Sequence, residues 1–398
     1  MKKILAVFIL LLLNINIALC ASLPSSRVPE GLGVNIHFTG KSVKDIDMIA
    51  DAGFKFVRMD FFWARVERIK GYYTFGEYDK LVQSLKSRGI RALFILDYNN
   101  PVYGQNWNEG IRSKERIQAF ARFAAAAAER YKNDNVIWEI WNEPNMKGFW
   151  EPAPSPEQYM ALLKAVVPAL KNADPTAKII APALSPDYNW REFLKKCLFL
   201  GLLNYIDALS IHPYMHMQPE SGLSEPLNYI RNLIKRNSKR NIPVYISEWG
   251  YPVVSSRNNS AKQSLGWNEM SYLNEQVQAV FISRLILLSM SKGIPFIIIY
   301  DWKNDGTEKS NPEHNFGLIR ADYSPKPAFF AIKKLTESLS GKSFKQRLKS
   351  SQDDYLLLFS DSKVKIIAGW TTSSPHSVKL PDGKLIQLSQ EPVYINYN

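Results

Sequence analysis

Eight short, nearly continuous apolar segments alternate with eight helical segments along this chain, and this alternation restricts its fold. Apolar runs without polar alternation are typical of parallel strands covered on both faces. Eight strand–helix units predict an α/β fold, a (β/α)8 TIM barrel. An open doubly wound sheet fits less well, because no Gly-rich phosphate loop follows the first strand. The predicted strands are Val34–Phe38, Phe54–Trp63, Arg91–Tyr98, Val136–Trp141, Lys178–Leu184, Ala208–Tyr214, Pro243–Trp249 and Pro295–Trp302. The predicted helices are Val43–Ala52, Tyr78–Arg88, Lys114–Tyr131, Pro156–Asn172, Asn189–Leu200, Glu225–Asn237, Asn274–Ser291 and Ser324–Ser340.

The pattern changes after Ser340, where short β-type runs are separated by turn clusters such as Pro381-Asp382-Gly383. Such spacing predicts antiparallel strands joined by tight connections. We therefore expect a barrel over residues 21–338 and a small, β-sandwich-like antiparallel module over residues 339–398. The predicted strands of this module are Tyr355–Phe359, Val364–Trp370, Val378–Leu380, Leu385–Leu388 and Val393–Tyr397.

The amino terminus has the features of a secretory leader. Lys2 and Lys3 precede the apolar run Ile4–Leu13, and cleavage after Cys20 would place small residues at the positions that the peptidase inspects. Residues 1–20 are therefore predicted to be a signal peptide, and the protein to be exported to the periplasm or beyond the cell. Acylation of Cys20 as a lipoprotein is an alternative, disfavoured because Leu19 is not small. An uncleaved membrane anchor is a further alternative, disfavoured because it would need about 20 apolar residues and the run Ile4–Leu13 is shorter.

Two carboxylates follow strands at the face where barrel enzymes carry their active sites. The fourth predicted strand leads into Asn142-Glu143-Pro144, and the seventh ends in Ser247-Glu248-Trp249. A facing pair of carboxylates suits acetal cleavage, because one must be protonated to donate to the leaving oxygen and the other must be ionised. The sequence thus indicates a glycosidase-type site.

Several stretches make this interpretation more specific. Ile140–Asn145, Ile246–Gly250, Gly53–Asp60 and Asn315–Leu318 resemble the retaining (β/α)8 glycoside hydrolases with catalytic glutamates on strands four and seven. The chain is similar to their family 39 and family 5 members, and nearest to bacterial endoglycosidases that cut exopolysaccharides. The resemblance covers most of residues 31–335.

The resemblance implies a role for each residue that matches the family pattern. Glu143 would be the general acid and then the general base, Glu248 the nucleophile, and Asn142 the contact to the 2-hydroxyl of the sugar. Retention of configuration further demands that the two carboxyl groups lie about 5–5.5 Å apart, rather than the larger separation of inverting enzymes.

Five more residues are assigned to the substrate site by the same resemblance. His212 and Tyr214 would orient the two glutamates, and Arg58, at the end of strand two, would lower the pKa of the nucleophile. Trp302 would be the floor on which the sugar stacks, and His37 a hydroxyl contact. Each also has a structural alternative, because aromatic and histidine side chains often only pack, and Arg58 could pair with a buried carboxylate such as Asp60.

Charge and composition limit the partners. The chain has 50 Lys and Arg against 37 Asp and Glu, a net charge of +13, so an anionic polymer or cell surface is a candidate partner, although a solvated surface explains the charge equally well. No nucleic-acid recognition motif accompanies the basic residues. The sequence has no His/Cys cluster with the spacing of a metal site, so we expect no metal, and we expect no cofactor.

These features together predict an exported, monomeric, retaining glycoside hydrolase that cleaves β-glycosidic bonds in a polysaccharide. The long loops Asn99–Ile111 and Asn145–Pro156 favour an open groove and endo action. An exo-β-glycosidase or cellulase-like enzyme on the same barrel is one alternative. A non-catalytic carbohydrate-binding matrix protein is another.

Overall fold

The computed structural model describes residues 22–104, 106–186, 189–214, 218–253 and 274–397. The predicted signal peptide, with Cys20, lies outside these residues. Within them, no helix combines the length and the apolar character needed to cross a bilayer.

Eight parallel strands close into a barrel in sequence order, with the first strand pairing the eighth. The predicted (β/α)8 barrel is therefore confirmed. An inner cluster of buried apolar side chains, including Phe56, Leu93 and Tyr245, fills the barrel interior. The strands are β1 (Leu32–Asn35), β2 (Phe56–Phe62), β3 (Arg91–Asp97), β4 (Ile137–Ile140), β5 (Lys178–Leu184), β6 (Ala208–Ile211), β7 (Val244–Trp249) and β8 (Ile297–Ile299).

Helices surround this barrel and bury their apolar faces against the outer side of the strands. The longest begin at side-chain caps: the Ser113 and Asn274 oxygens accept from the N–H groups of Arg116 and Val277. The helices are α1 (Val43–Asp51), α2 (Trp63–Val66), α3 (Gly76–Lys86), α4 (Lys114–Tyr131), α5 (Pro156–Ala173), α6 (Trp190–Phe199), α7 (Pro219–Gly222), α8 (Ser224–Asn237), α9 (Glu275–Ser291) and α10 (Pro327–Leu339).

Several strands end earlier than their apolar runs predict. Strand β1 ends at Asn35, β6 at Ile211 and β8 at Ile299, so His37, His212 and Trp302 lie on the connections beyond them. Beyond these strand ends Ile36, His212 and Trp302 are buried, so the sequence stays apolar where the sheet has stopped, whereas His37 is exposed. Arg58 differs in the opposite sense, because it lies inside β2 rather than at its end.

The C-terminal residues form an antiparallel module, as predicted. A four-stranded sheet has the order β14-β11-β10-β9, and β12 and β13 form a separate two-stranded sheet. One face of the four-stranded sheet joins the barrel core through Phe359 and Trp370, and the other packs on the hairpin through Leu356 and Ile367. The strands are β9 (Ser343–Arg347), β10 (Asp354–Ser360), β11 (Lys365–Thr371), β12 (His376–Lys379), β13 (Leu385–Leu388) and β14 (Val393–Tyr397).

A buried polar cluster joins this module to the barrel. The Arg284 guanidinium on α9 is fully buried and its Nε donates to Glu220 Oε1 of α7 over 2.6 Å. The Trp370 indole N–H of β11 donates to the same carboxylate oxygen over 2.8 Å. Barrel and module are therefore connected by a shared acceptor as well as by apolar packing.

Candidate active site

The first carboxylate stands on a strained segment just beyond β4. Trp141 and Glu143 have positive φ angles of 68° and 44°, a conformation that non-glycine residues adopt only when their surroundings hold them. The Trp141 indole N–H donates to the Phe149 carbonyl over 2.8 Å, and the Tyr159 hydroxyl donates to the Ile140 carbonyl over 2.9 Å. These bonds fix the turn that carries Glu143, whose side chain is 10% exposed.

The second carboxylate belongs to a regular strand. Glu248 is the fifth residue of β7, and its side chain is 13% exposed. Gly250 follows at the end of this strand, where a Cβ atom would lie only 1.8 Å from the Tyr300 carbonyl oxygen. Glycine is thus required for β7 to approach the segment after β8 so closely.

Arg58 connects the acidic groups from inside the barrel. Its side chain is almost fully buried; Nε donates to Glu139 over 2.8 Å and one terminal nitrogen donates to Glu248 over 2.6 Å. The other terminal nitrogen donates to the Asn142 oxygen over 2.8 Å. Because that oxygen is occupied, the Asn142 amide presents N–H groups to neighbouring acceptors. The carboxylate that pairs with Arg58 is therefore Glu139, together with Glu248, rather than Asp60.

Glu248 is held in its ionised form. Burial alone would raise the pKa of this carboxyl, but the charges of His212 (when protonated) and Arg58 outweigh burial and lower it. The Tyr214 hydroxyl adds to this by donating to Glu248 over 2.6 Å. The pKa of Glu248 therefore lies below its ordinary value.

His212 contacts the other glutamate. Its Nδ1 lies 2.9 Å from Glu143 Oε1, and its Nε2 lies 3.1 Å from the Ser247 hydroxyl and 3.4 Å from an Arg58 nitrogen. Since an arginine nitrogen only donates, Nε2 of a neutral His212 must accept, which leaves Nδ1–H to donate to Glu143. The His-x-Tyr pair thus divides its contacts, with His212 on Glu143 and Tyr214 on Glu248.

The two glutamates are close enough to act on one atom. A carboxylate oxygen of Glu143, one of Glu248 and a ring nitrogen of His212 all lie within 4.8 Å of one another. Inverting glycosidases need carboxyl groups about 6.5–9.5 Å apart to admit a water between them. The observed spacing is instead compatible with direct attack by one carboxylate on a sugar carbon whose leaving oxygen is protonated by the other.

His37 lies beside this cluster at the mouth of β1. Its Nδ1 is 2.9 Å from Asp305, and its Nε2 is 3.0 Å from the Asn35 amide. Burial alone would lower the pKa of His37, but the hydrogen bond with Asp305 and the charge of Asp301 raise it to about 9. His37 therefore lies beside the cleft with one ring nitrogen on a carboxylate and the other on the amide nitrogen of Asn35.

Trp302 does not reach the cleft, and its predicted role as the sugar floor is wrong. The residue is 1% exposed, and its indole N–H donates to Asp45 of α1 over 2.9 Å, in the barrel wall. Tyr300, two positions earlier, lies nearer to the cleft. Its ring centre lies 5.6 Å from that of His37 and 5.0 Å from that of Phe316.

Sequence reasoning also missed polar residues that complete the site. Ser247 and Asp305 contact the two histidines, and Asn35 accepts from Arg58 over 3.2 Å. The signal for Tyr300 was present in the sequence, since it is the first aromatic after the triple isoleucine that forms β8. Asp305 belongs to a loop without a motif, so nothing in the sequence pattern pointed to it.

Two sets of donor atoms in the described part of the chain are compact enough for a cation. One is Glu143, His212 and Glu248, and the other adds Asp301 and Asp305 to His37. In both sets the side chains already contact one another as hydrogen-bonding or ionic partners. Neither arrangement singles out a metal over proton chemistry.

The loops after β3 and β4 are tied together along one side of the cleft. The Gly110 N–H donates to the Glu151 carbonyl over 3.1 Å, and the Glu151 N–H donates to the Asn108 carbonyl over 2.9 Å. The Asn99 N–H donates to the Trp107 carbonyl over 2.9 Å. These bonds tie together the two loops from which the sequence predicts an open groove.

Comparison with known proteins agrees with this geometry. Residues 29–283 match the family model described as cellulase (glycosyl hydrolase family 5). A β-xylosidase of Caldicellulosiruptor saccharolyticus is 28% identical over 296 residues, which is 68% of this chain and 57% of that protein. A β-xylosidase of Geobacillus stearothermophilus is 21% identical over 66% of this chain and 56% of its own length. The chain thus spans little more than half the length of these curated relatives.

Solved structures give the same result for the fold. A family 39 glycoside hydrolase of Bacteroides cellulosilyticus is 25% identical, with a TM-score of 0.77 over 94% of this chain and 81% of that one. A family 39 β-xylosidase of Caulobacter crescentus superposes with a TM-score of 0.65 at 18% identity, over 90% of this chain and 81% of its own. The second likeness concerns the fold alone.

Proposed function

Because the chain belongs to the cellulase family (glycosyl hydrolase family 5), we propose that it is an exported, retaining β-glycoside hydrolase that cuts a polysaccharide internally. The observation that carries this proposal is the pair Glu143 and Glu248, with carboxylate oxygens within 4.8 Å of each other. The substrate class we propose is an exopolysaccharide, following the resemblance read from the sequence.

The first chemical step assigns opposite tasks to the two carboxyls. Glu248, kept ionised by Arg58 and Tyr214, attacks the anomeric carbon and forms an ester bond to it as the glycosidic C–O bond breaks. Protonated Glu143 delivers its proton to the departing oxygen. The N–H groups of Asn142 are placed to hold a hydroxyl of the same sugar.

The second step reverses the proton transfer. Glu143, now a carboxylate, takes a proton from water, whose oxygen bonds to the anomeric carbon as the Glu248 ester breaks. The sugar leaves with its original configuration, Glu248 regains its charge and Glu143 regains its proton. The bond between His212 and Glu143 keeps the carboxyl in place through both steps.

This mechanism is tested by the stereochemistry of the product and by trapping the ester. Proton NMR during hydrolysis of an aryl β-glycoside should show the β-anomer first, before mutarotation. An activated 2-fluoro glycoside should leave a covalent sugar on the peptide that contains Glu248, detected by mass spectrometry. First appearance of the α-anomer, or an adduct on another residue, would refute the proposed mechanism.

An exo-β-glycosidase is the second candidate, because the relatives reported above are named β-xylosidases. The loops after β3 and β4, which main-chain hydrogen bonds tie together, favour an extended groove instead. Product analysis separates the two, since an endo enzyme releases a ladder of oligosaccharides from a polysaccharide and an exo enzyme releases single sugars.

Export and surface attraction are proposals that stand on the sequence. The leader over residues 1–20 supports export, and the net charge of +13 supports attraction to an anionic polymer or cell surface. Fractionation of the producing cells, followed by amino-terminal sequencing of the mature protein, tests the first. Cleavage after Cys20 is the expected result, and a lipid-modified Cys20 is the contrary one.

We further propose that the protein is a monomer and uses no cofactor. Sedimentation would test the oligomeric state, and measuring the activity in the presence of a chelator would test for a metal.

A further inference from the structure

We propose that Trp107 is a stacking platform for a second sugar of the bound polysaccharide, one subsite away from the sugar that Glu143 and Glu248 cleave. This inference rests on the proposed function, and it specifies that function further by stating which surface makes the cleft an extended groove. Four observations support it: the exposure of the indole, the rigidity of its loop, its position relative to Asn142, and its chemistry.

The exposure of Trp107 is unusual for its residue type. It is 53% exposed, whereas Trp141 and Trp150 on the neighbouring segment are fully buried. Tryptophan normally buries most of its surface, so an indole left open to solvent beside a binding cleft indicates a ligand contact.

The loop that carries Trp107 is held by hydrogen bonds at Trp107 itself and at the three residues that follow it. The Trp107 carbonyl accepts from the Asn99 N–H over 2.9 Å, and the Asn99 amide donates to the Glu109 carbonyl over 3.1 Å. Asn108 and Gly110 are bonded to Glu151 in the loop after β4. An exposed ring on a fixed backbone loses little conformational freedom when a ligand stacks on it.

The position of Trp107 follows from a single intervening ring. Its ring centre lies 5.2 Å from that of Tyr98, with the planes at 71°. The Tyr98 ring also packs edge-on against that of Trp141, with ring centres 5.4 Å apart, and Trp141 directly precedes Asn142, the residue that we expect to hold the sugar being cleaved. Trp107 is therefore one aromatic ring away from the segment that carries Asn142, on the side of the cleft formed by the β3 and β4 loops.

The chemistry of the surface suits a neutral sugar ring. A pyranose has an apolar face of C–H groups that packs on an aromatic plane, and a rim of hydroxyls that needs polar partners. The side chains of Asn106 and Glu109 lie on the same loop, hydrogen-bonded to each other over 3.1 Å, and supply donors and acceptors beside the indole. The occupant we assign is therefore the next sugar of the same chain, rather than a protein or a lipid.

The experiment compares a short and a long substrate in the Trp107→Ala variant. The probes are an aryl β-monosaccharide, which offers one sugar, for the cleavage subsite, and β-1,4-linked xylo- and gluco-oligosaccharides from disaccharide to hexasaccharide. We expect KM for the longer oligosaccharides to rise about tenfold, which corresponds to one aromatic stacking contact. The kinetics on the aryl monosaccharide should not change. Trp107→Phe should recover most of the loss. Phe199→Ala, which removes a ring that is even more exposed (79%) on the outer helix α6, should have no effect.

The outcomes separate this inference from the proposed function. Equal losses on the aryl monosaccharide and the oligosaccharides, or no loss on either, would overturn the platform while the hydrolase remained. Absence of any gain in kcat/KM of the wild-type protein with oligosaccharide length would overturn it as well. Failure of the wild-type protein to hydrolyse any probe, the aryl monosaccharide included, would instead count against the proposed function itself.

Discussion

The mouths of β4 and β7 present the same side chain in two different ways. Glu143 follows a strand that has ended and stands on left-handed backbone at Trp141 and at Glu143 itself. Glu248 is part of an extended strand that packs closely on the segment after β8 through Gly250. The strained backbone after β4 is held by hydrogen bonds of the Trp141 indole and the Tyr159 hydroxyl. The backbone of β7 at Glu248 is extended and has no such strain to hold.

The surroundings of the two carboxyls differ as much as their backbones. Glu248 accepts from a buried guanidinium and from a phenol, which favours its charged form. Glu143 instead contacts a ring nitrogen of His212 over 2.9 Å. The comparison teaches that two glutamates of one site can have different partners. Two donors on Glu248 and a histidine ring on Glu143 are consistent with the different roles that we propose for them.

Loss of the nucleophile should be the largest effect. In Glu248→Gln the amide cannot attack the anomeric carbon, so kcat should fall by at least about a thousandfold on every substrate. The measurement is steady-state hydrolysis of aryl glycosides and polysaccharide, with binding of the polysaccharide retained. Glu192→Gln, an exposed position on α6, is the matched control. Activity within twofold of wild type in Glu248→Gln would remove the mechanism.

Loss of the acid should depend on the leaving group. Glu143→Gln should reduce kcat/KM for sugar leaving groups by about 10²–10⁴, because these need a proton, and far less for dinitrophenolate, which does not. A series of aryl glycosides of graded leaving-group pKa measures this slope. If Glu248→Gln gave the steep slope and Glu143→Gln the flat one, the assignments of the two mouths would be reversed.

The packing difference between the two mouths can be tested with glycine. Gly250→Ala places a Cβ atom 1.8 Å from a backbone oxygen, so we expect destabilisation of about 1–3 kcal/mol, seen as a lower Tm in thermal unfolding. Gly148→Ala, in the loop after β4, meets no atom within 4 Å and should leave Tm unchanged. Equal Tm values for both variants would contradict the close approach of β7.

The smallest effect concerns the pH profile. Tyr214→Phe removes a hydrogen bond that helps to lower the pKa of Glu248, so this pKa should rise. Because the nucleophile must be ionised, the acidic limb of kcat/KM should move to higher pH, and the rate at the optimum should fall about tenfold. Tyr72→Phe, at a residue 65% exposed, is the control. An unchanged acidic limb would show that Arg58 and His212 set this pKa without Tyr214.

The barrel and the family could be predicted because both depend on patterns along the sequence: the order of apolar segments and short motifs. Eight apolar runs predicted eight strands, and the motifs around Glu143 and Glu248 led to the glycoside hydrolase resemblance that the family model confirms. Strand β9 was missed because it is polar and exposed, as an edge strand permits, so its sequence has no apolar run.

The errors at the site arose from distances that no pattern contains. Trp302 was chosen because it ends an apolar run, yet β8 stops at Ile299 and the indole turns to Asp45. The positions of Tyr300 and Asp305 at the site could not be predicted, because they depend on how the chain after β8 folds back against His37. The roles of these residues depend on which side of the strand end each one faces.

The shared contact of Glu220 with Arg284 and Trp370 limits how this protein can be shortened. A version that stops after α10 would lose the Trp370 indole that donates to Glu220. The Arg284–Glu220 pair would become partly hydrated, and the apolar faces of the outer helices beneath the module would be exposed to solvent. Such a chain should be prone to self-association even though every residue of its cleft remains. The terminal strands are thus an integral part of the folded barrel unit. Exchanging them between related enzymes would require the barrel surface on which they pack to be exchanged as well.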